Sequence, residues 1–314
     1  MMAGSGKKPA EGIVKKVSQV LAYAGQLLLA AVLFLIYIVA DRKTIKITSS
    51  GEKREYLLHI PRSYNPANPT PLVITIHGFA EWPAHVMHIS GWNRMSEKAG
   101  FLVAYPSGTG FPKHWRVMSK PGSSEGAQLE VDFITDLISH LEQTFNIDRA
   151  RIFANGFSNG GGMTHVLAEE VPEKIAAIGI IAGALVYPFQ NHPTHRRVPL
   201  IAFHGSADPI VPITGGPSRY FAIPFPDIPE WMGKWAAQNG CNPTPAQIFR
   251  SAHVTGIQYE DPSHRKDVIF YTVDDGGHAW PGGLSIQKFL VGKTTAEINA
   301  TELMWQFFEQ HPLQ

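Results

Sequence analysis

The sequence contains one cysteine, Cys241, so no disulfide can form within the chain. Metal-binding patterns are also missing. There is no CxxC pair and no HExxH helix, and neither His85/His88 nor His192/His195 has a clustered acidic partner. We interpret these histidines as ordinary loop or surface residues and expect neither a metal nor another cofactor. Stability must therefore come from an apolar core.

An excess of charge of one sign is absent as well. The formal net charge is +1 over 314 residues, and no dense Lys/Arg block occurs outside the N-terminal tail. Proteins that bind nucleic acid typically carry such blocks, so we predict no nucleic-acid partner. Hydrophobic residues make up 44% of the chain, which is enough for a folded domain with a sizeable core.

The N-terminus carries a long apolar run, residues 20–40, after a basic tail, residues 1–19. Its 21 residues match the roughly 20 helical residues that cross a bilayer. A cleavable signal peptide has an apolar region of only about 7–15 residues and a small-residue cleavage site, which fits this segment poorly. We predict a transmembrane anchor, with a cleaved signal segment as the alternative. In both cases the protein is exported, and residues 41–53 are a linker to the folded domain.

The remaining chain alternates strand-like and helical patterns. A hairpin pattern occupies residues 44–60, and apolar runs typical of buried parallel strands follow at 71–78, 101–108, 151–156, 176–183, 199–209 and 267–278. Helical patterns lie at 86–98, 131–145, 163–170, 228–238 and 294–310. This alternation predicts an α/β fold with a mostly parallel central sheet and helices on both faces. Chemistry in such folds collects beyond the carboxyl ends of the strands.

The stretch "NGFSNGGG" contains the pattern G-x-S-x-G at residues 156–160. It follows a strand pattern and opens a helical one, which is the context of a nucleophile elbow. There the turn is too tight for neighbouring side chains, and the serine adopts an uncommon backbone conformation. We predict Ser158 as the nucleophile. The alternative is a Gly/Ser-rich loop without chemistry.

A serine nucleophile needs a histidine base and a carboxylate that orients it, in the chain order Ser, acid, His. "FHGSADPIVP" places Asp208 just beyond the fifth buried strand, and "DDGGHAWPGG" places His278 just beyond the sixth. We predict these two residues as the acid and the base. The alternatives are a turn residue for Asp208 and an exposed loop histidine for His278. The rival acids are Asp227, Asp261 and Asp275.

The oxyanion of a tetrahedral intermediate needs preorganised N–H donors. One is usually the amide after the nucleophile, here Asn159, and the other comes from a loop after an early strand. "HGFA" is that loop, with the Phe79 amide our first candidate and the Ala80 amide the second. Ordinary loop closure is the alternative for this segment.

Several longer blocks together resemble a known family: "HGF" after a strand, "GFSNGG", "HGSADPIVP", "WAAQNGC" and "GGHAWPGG". The chain resembles the α/β-hydrolase esterases grouped with polyhydroxybutyrate depolymerases and feruloyl or acetylxylan esterases. The resemblance implies the same triad and an oxyanion loop at Phe79. It also implies a substrate wall that includes Trp115 and Trp280, for which core packing is the alternative. Phe79 stands where relatives commonly have a cysteine, which is a departure from the family.

We therefore predict that residues 54–314 form the catalytic domain of a serine carboxylic-ester hydrolase. It forms an acyl-enzyme with short-chain, hydroxyalkanoate, feruloyl or acetyl esters, either small molecules or polymers. An acyltransferase that uses the same acyl-enzyme is one alternative, because the motifs do not identify the acceptor. A non-catalytic binding protein on the same scaffold is the other.

Overall fold

The computed structural model describes residue 32 and residues 44–118, 125–189, 196–218, 220–221, 224–263, 265–284 and 291–314. The predicted basic tail and, apart from residue 32, the predicted membrane segment lie outside these ranges, as do His192 and His195. None of the helices within them combines the length and the apolar composition that a bilayer span requires. The anchor at residues 20–40 therefore stays a prediction.

The described strands and helices alternate along the chain. The strands are β1 (Ile45–Ser49), β2 (Glu52–His59), β3 (Thr70–Ile76), β4 (Leu102–Pro106), β5 (Ile147–Phe157), β6 (Ile178–Ile181), β7 (Leu200–Gly205), β8 (Gly216–Pro217), β9 (Pro224–Phe225), β10 (Ala246–Arg250), β11 (Val254–Tyr259) and β12 (Val268–Val273). The helices are α1 (Pro83–Ser90), α2 (Trp92–Ala99), α3 (Glu125–Thr144), α4 (Asn159–Glu170), α5 (Ile228–Asn239) and α6 (Ala300–Gln310).

Ten of these strands form one sheet, in the order β1-β2-β4-β3-β5-β6-β7-β12-β11-β10. The pairs from β4 across to β12 are parallel. The strands at the two edges pair antiparallel, β1 and β2 at one edge and β10 and β11 at the other. The mostly parallel α/β-hydrolase sheet predicted from the sequence is confirmed. Because β1 is part of this sheet, the folded unit begins inside the range predicted as a linker, 41–53.

Two apolar layers cover the two faces of the sheet. Strand β3 shows the alternation that produces them, since Ile74 joins the layer with α3, α4 and α5, and Val73 joins the layer with α1, α2 and α6. In the second layer Phe153 of β5 stacks on Phe308 of α6, with ring centroids 4.7 Å apart. Every side chain of β3 is buried, as expected for a central parallel strand.

Four helical predictions are wrong in their bounds. Helices α3 and α4 begin earlier than predicted, at Glu125 and Asn159 instead of residues 131 and 163. The single helix expected at residues 86–98 is two helices, because Gly91 has a left-handed φ of 72° that ends α1 and starts α2. The last helix begins at Ala300 rather than at residue 294. Asn299 caps it, and its side chain accepts hydrogen bonds from the N–H groups of the first turn.

The parallel strands carry the predicted site residues to one edge of the sheet. Ser158 follows β5, Asp208 lies just after β7, and His278 lies just after β12. The predicted oxyanion loop, residues 77–80, follows β3, the neighbour of β5. Since the carboxyl ends of parallel strands lie at the same edge, four segments that are distant in the chain meet there.

Candidate active site

Ser158 occupies a sharp turn between β5 and α4. Its φ of 55° and ψ of −119° lie outside the regions that non-glycine residues normally adopt. The surrounding glycines permit close approach of backbone segments. A Cβ on Gly156 would lie 2.1 Å from the Gly160 carbonyl oxygen, and a Cβ on Gly160 would lie 2.2 Å from the Ile76 carbonyl oxygen. The predicted elbow conformation is therefore confirmed, and close backbone contacts account for the glycines beside it.

Asp208 and His278 form a buried pair. The distance between Asp208 Oδ2 and His278 Nδ1 is 2.8 Å, and both side chains are almost inaccessible to solvent. Because an ionised carboxylate only accepts hydrogen bonds, Nδ1 carries the proton. The Nε2 of His278 is then the nitrogen that is able to accept a proton, which is the tautomer that a general base requires.

The surroundings of Asp208 stabilise its negative charge. Its Oδ1 accepts hydrogen bonds from the Ile210 and Val211 N–H groups, at 2.8 and 2.9 Å. His204 Nε2 lies 3.6 Å from Oδ2 and donates to the Val211 carbonyl. Burial alone would raise the pKa of Asp208, but the charge and hydrogen bond of His278, with smaller contributions from His204 and Val211, lower the pKa below its usual value. Asp208 is thus an anion at neutral pH.

Ser158 directly follows Phe157 in the chain, and the Phe157 ring contacts the His278 ring. The two ring centroids are 4.8 Å apart. Within the described residues, the Ser158 hydroxyl donates no hydrogen bond to His278. Catalytic hydrogen bonds are often long without substrate and shorten when it binds, so this geometry is compatible with a base at His278.

The rival acids have other contacts. Asp227 caps α5 and accepts the Glu230 N–H at 2.8 Å. Asp261 accepts hydrogen bonds from the Ser263 hydroxyl and the Arg265 N–H. Asp275 is exposed. Among the described residues, Asp208 is the acid whose carboxylate contacts His278.

The N–H groups of Gly78 and Ala80 in the oxyanion loop already have acceptors. The Gly78 N–H donates to Glu81 Oε2 at 2.8 Å, and the Gly78 carbonyl accepts from His77 Nδ1 at 2.7 Å. The Ala80 N–H donates to the Lys113 carbonyl at 2.8 Å. The Phe79 N–H donates to no acceptor in the described part of the chain. The geometry therefore favours Phe79 over Ala80 as the loop donor.

The second candidate donor is the backbone N–H of Asn159, the first residue of α4. N–H groups at this position of a helix have no acceptor within the helix, and the helix dipole places partial positive charge there. An anion formed on a group bound to Ser158 is therefore close to the positive end of α4.

The His77 ring has a fixed tautomer and contacts the backbone of the oxyanion loop. Its Nε2 accepts the Gly108 N–H at 2.8 Å, so the proton resides on Nδ1, which donates to the Gly78 carbonyl. Complete burial of the ring is the main reason that the pKa of His77 is lowered to about 4. The ring is consequently neutral at physiological pH.

Both tryptophans of the predicted substrate wall lie in the interior. Trp115 is 1% exposed and donates from its indole to the His77 carbonyl, and Trp280 is 2% exposed and donates to the Thr301 hydroxyl. The structure thus supports the packing alternative for both. The side-chain amide of Asn159 also accepts the Trp115 N–H at 2.7 Å and donates to the Trp115 carbonyl. Trp115 therefore connects the elbow to the oxyanion loop.

The exposed aromatic side chain of this region is instead that of Phe79, which contacts two partly exposed rings. Its ring is 40% exposed and makes an edge contact with Phe221, with centroids 5.8 Å apart, and a tilted contact with His114 at 6.1 Å. Sequence reasoning assigned Phe79 through its amide and missed this side chain. It also missed Glu81, although a carboxylate inside the motif "HGFAE" is a visible signal in the sequence.

Known proteins that are similar to this chain include esterases. A family model for phospholipases and carboxylesterases matches residues 115–220, which include Ser158 and Asp208. A putative esterase, NocK, from Nocardia uniformis subsp. tsuyamanensis is 28% identical, covering 86% of this chain and 83% of the relative. Feruloyl esterase C from Emericella nidulans is 27% identical, covering 72% of this chain and 76% of the relative.

A solved structure shares the fold. An acetyl xylan esterase from Aspergillus awamori superimposes with a TM-score of 0.59 at 16% identity, covering 85% of this chain and 99% of the other. At this identity the likeness describes the fold, while the relatives above carry the similarity in sequence. The chain therefore has the α/β-hydrolase fold and is similar in sequence to a putative esterase and a feruloyl esterase, as its motifs predict.

Proposed function

We propose that this protein is a serine carboxylic-ester hydrolase with Ser158 as nucleophile, His278 as base and Asp208 as the orienting acid. The contact between Asp208 and His278, beside a serine in an elbow turn, is the observation that carries the proposal. A buried carboxylate that fixes the tautomer of a histidine next to a strained serine is what acyl transfer requires. Short-chain, hydroxyalkanoate, feruloyl and acetyl esters are the proposed substrate classes.

In the first half of the reaction the Ser158 Oγ attacks the ester carbonyl carbon, and its proton moves to His278 Nε2. The carbonyl oxygen becomes an oxyanion that accepts hydrogen bonds from the Phe79 and Asn159 N–H groups. As the tetrahedral intermediate collapses, His278 Nε2 gives the proton to the leaving alcohol oxygen, and an acyl-Ser158 ester remains.

In the second half water takes the place of the alcohol. His278 Nε2 removes a proton from the water, and the resulting hydroxide attacks the acyl carbonyl in the same oxyanion site. Collapse releases the carboxylic acid and returns the proton to Ser158 Oγ. Asp208 stays ionised throughout and stabilises the imidazolium that forms in each half.

Turnover of the full chain with p-nitrophenyl acetate and butyrate, methyl ferulate and a hydroxybutyrate oligomer tests this proposal. Wild-type protein is expected to hydrolyse at least one of these esters, and Ser158→Ala to hydrolyse none. A fluorophosphonate is expected to add its phosphonyl group to Ser158, with loss of fluoride, as measured by mass spectrometry. If wild-type protein neither hydrolyses an ester nor takes up the label, the proposed serine esterase activity is excluded.

Product analysis with an added acceptor alcohol separates hydrolysis from acyl transfer. For the hydrolase, free acid remains the main product when the alcohol is added. A product that is mainly the new ester would instead assign the chain to acyl transfer, because both reactions share the acyl-enzyme and differ only in the acceptor.

We further propose that residues 20–40 anchor the protein in a membrane with the catalytic domain outside the cytoplasm. The length and apolar composition of the segment support this. Fractionation of cells that express the full chain tests it. We expect the protein in the membrane fraction, resistant to extraction at high pH, with its catalytic domain sensitive to protease added from outside. A chain that starts near residue 41 in the medium would indicate cleavage instead.

A further inference from the structure

Glu81 lies in the oxyanion loop, yet the serine mechanism gives it no task. Its carboxylate connects two elements. Oε2 accepts the Gly78 N–H at 2.8 Å, and Oε1 lies 3.2 Å from Nδ1 of His85, one turn along in α1. An acidic side chain thus holds the backbone group that immediately precedes the candidate donor, Phe79.

The same carboxylate is close to the nucleophile. A Cβ on Gly78 would lie 3.0 Å from Glu81 Oε2 and 3.3 Å from Ser158 Cβ. Glu81 and Ser158 therefore lie against the same glycine. A change in the position of Glu81 shifts Gly78, and with it the distance between the oxyanion loop and the serine.

Hydrogen bonds hold Gly78 at both of its backbone polar groups, one in each of the two peptides that flank its Cα. The Gly78 N–H is held by Glu81, and the Gly78 carbonyl is held by His77. In a planar peptide the carbonyl and the following N–H point in opposite directions. Fixing residue 78 at both polar groups therefore sets the direction of the Phe79 N–H.

We propose that Glu81 is a positioning residue: its carboxylate, paired with His85, holds Gly78 so that the Phe79 N–H points at the oxyanion. This inference rests on the proposed esterase function. An uncompensated carboxylate at this distance would oppose a developing oxyanion. Burial alone would lower the pKa of His85, but the charge and hydrogen bond of Glu81 raise it above its usual value and so favour the protonated ring. With His85 protonated, the pair orients the loop without adding net negative charge to it.

Kinetics of the full chain with p-nitrophenyl butyrate test the inference through Glu81→Ala and Glu81→Gln. We expect Glu81→Ala to lower kcat at least about tenfold with KM little changed, because only the transition state carries the oxyanion. Glu81→Gln keeps an oxygen that accepts the Gly78 N–H, so it should retain kcat within about threefold of wild type. Recovery by glutamine and a change confined to kcat separate positioning from a general structural role.

The control is Glu142→Ala, which removes a carboxylate of similar exposure on α3 that pairs with Arg149 of β5. It should leave kcat unchanged. If Glu81→Ala unfolds, Glu81→Asp replaces it, because one methylene less withdraws the carboxylate from Gly78 while the charge is kept. Glu81→Asp should then show the kcat loss.

Two results would overturn the inference. The first is an active wild type whose kcat is unaffected by Glu81→Ala and Glu81→Asp. The second is a fall in kcat in Glu81→Gln equal to that in Glu81→Ala, at unchanged thermal stability. Either result overturns this inference and leaves the proposed function intact. Wild-type protein without any ester turnover overturns the proposed function, and this inference with it.

Discussion

Asp208 and His278 are 70 residues apart in the chain, and their side chains are 2.8 Å apart. Replacement of Asp208 by asparagine tests what this contact does. The asparagine amide donates where the carboxylate accepts, so His278 Nδ1 must become the acceptor and Nε2 holds the proton. We expect Asp208→Asn to reduce kcat by about 10⁴-fold, measured with p-nitrophenyl esters. The rival acid Asp275 is exposed, and Asp275→Asn should keep the wild-type kcat. A fall in kcat in Asp275→Asn with wild-type kcat in Asp208→Asn would instead assign Asp275 as the acid.

The Phe79 side chain is expected to contact substrate, whereas its amide acts on the oxyanion. Its exposed ring lies beside Phe221 at the candidate donor amide. In Phe79→Ala the backbone N–H remains, so we expect a higher KM for esters with a large acyl or alcohol group and a nearly unchanged kcat. Phe111 is 86% exposed, and Phe111→Ala is the matched control. A fall in kcat without a change in KM would contradict this division of roles.

The side chain of Asn159 is expected to matter for stability more than for chemistry. It holds the backbone of buried Trp115 by two hydrogen bonds, while its own N–H is the candidate oxyanion donor. Asn159→Ala leaves the Trp115 N–H unpaired and should lower the free energy of unfolding by about 1–3 kcal/mol, measured in urea. Asn242 is exposed, and Asn242→Ala should change it little. Equal stability of both variants would exclude this role.

The neutral His77 makes stability depend on pH. Its pKa is lowered to about 4, chiefly by burial, from the ordinary value of 6.5. Below 6.5 the unfolded chain takes up a proton that the folded chain does not, so stability is lost as the pH falls towards 4. His77 alone should contribute a loss of about 3 kcal/mol between pH 7 and 4. His204, whose pKa burial also lowers, adds a loss of the same sign.

Urea unfolding at about pH 7, 5.5 and 4.5 measures this dependence. His77→Gln removes the titration, so its free energy of unfolding should fall less steeply with decreasing pH than that of wild type, whatever its absolute stability. The same pH dependence in both proteins would show that the unfolded and folded chains bind protons at His77 equally.

The buried strands are readable in the sequence because a strand covered on both faces must be apolar along its whole length. All six predicted runs correspond to strands of the sheet. The edge strands β10 and β11 have no such signal, since β10 is largely exposed and its composition is mixed. The start of α4 has no such signal either. Three glycines follow its first residue, Asn159, and glycine disfavours helices.

The sequence by itself determined the fold class, the esterase resemblance that the relatives confirm, and the serine at the elbow. These depend on local patterns: apolar runs, glycines where backbones touch, and short motifs. The tertiary structure alone decided which acid meets His278, that Trp115 and Trp280 are buried, and that Glu81 holds Gly78. Such contacts join segments distant in the chain, so their distances follow from how the strands and loops pack together.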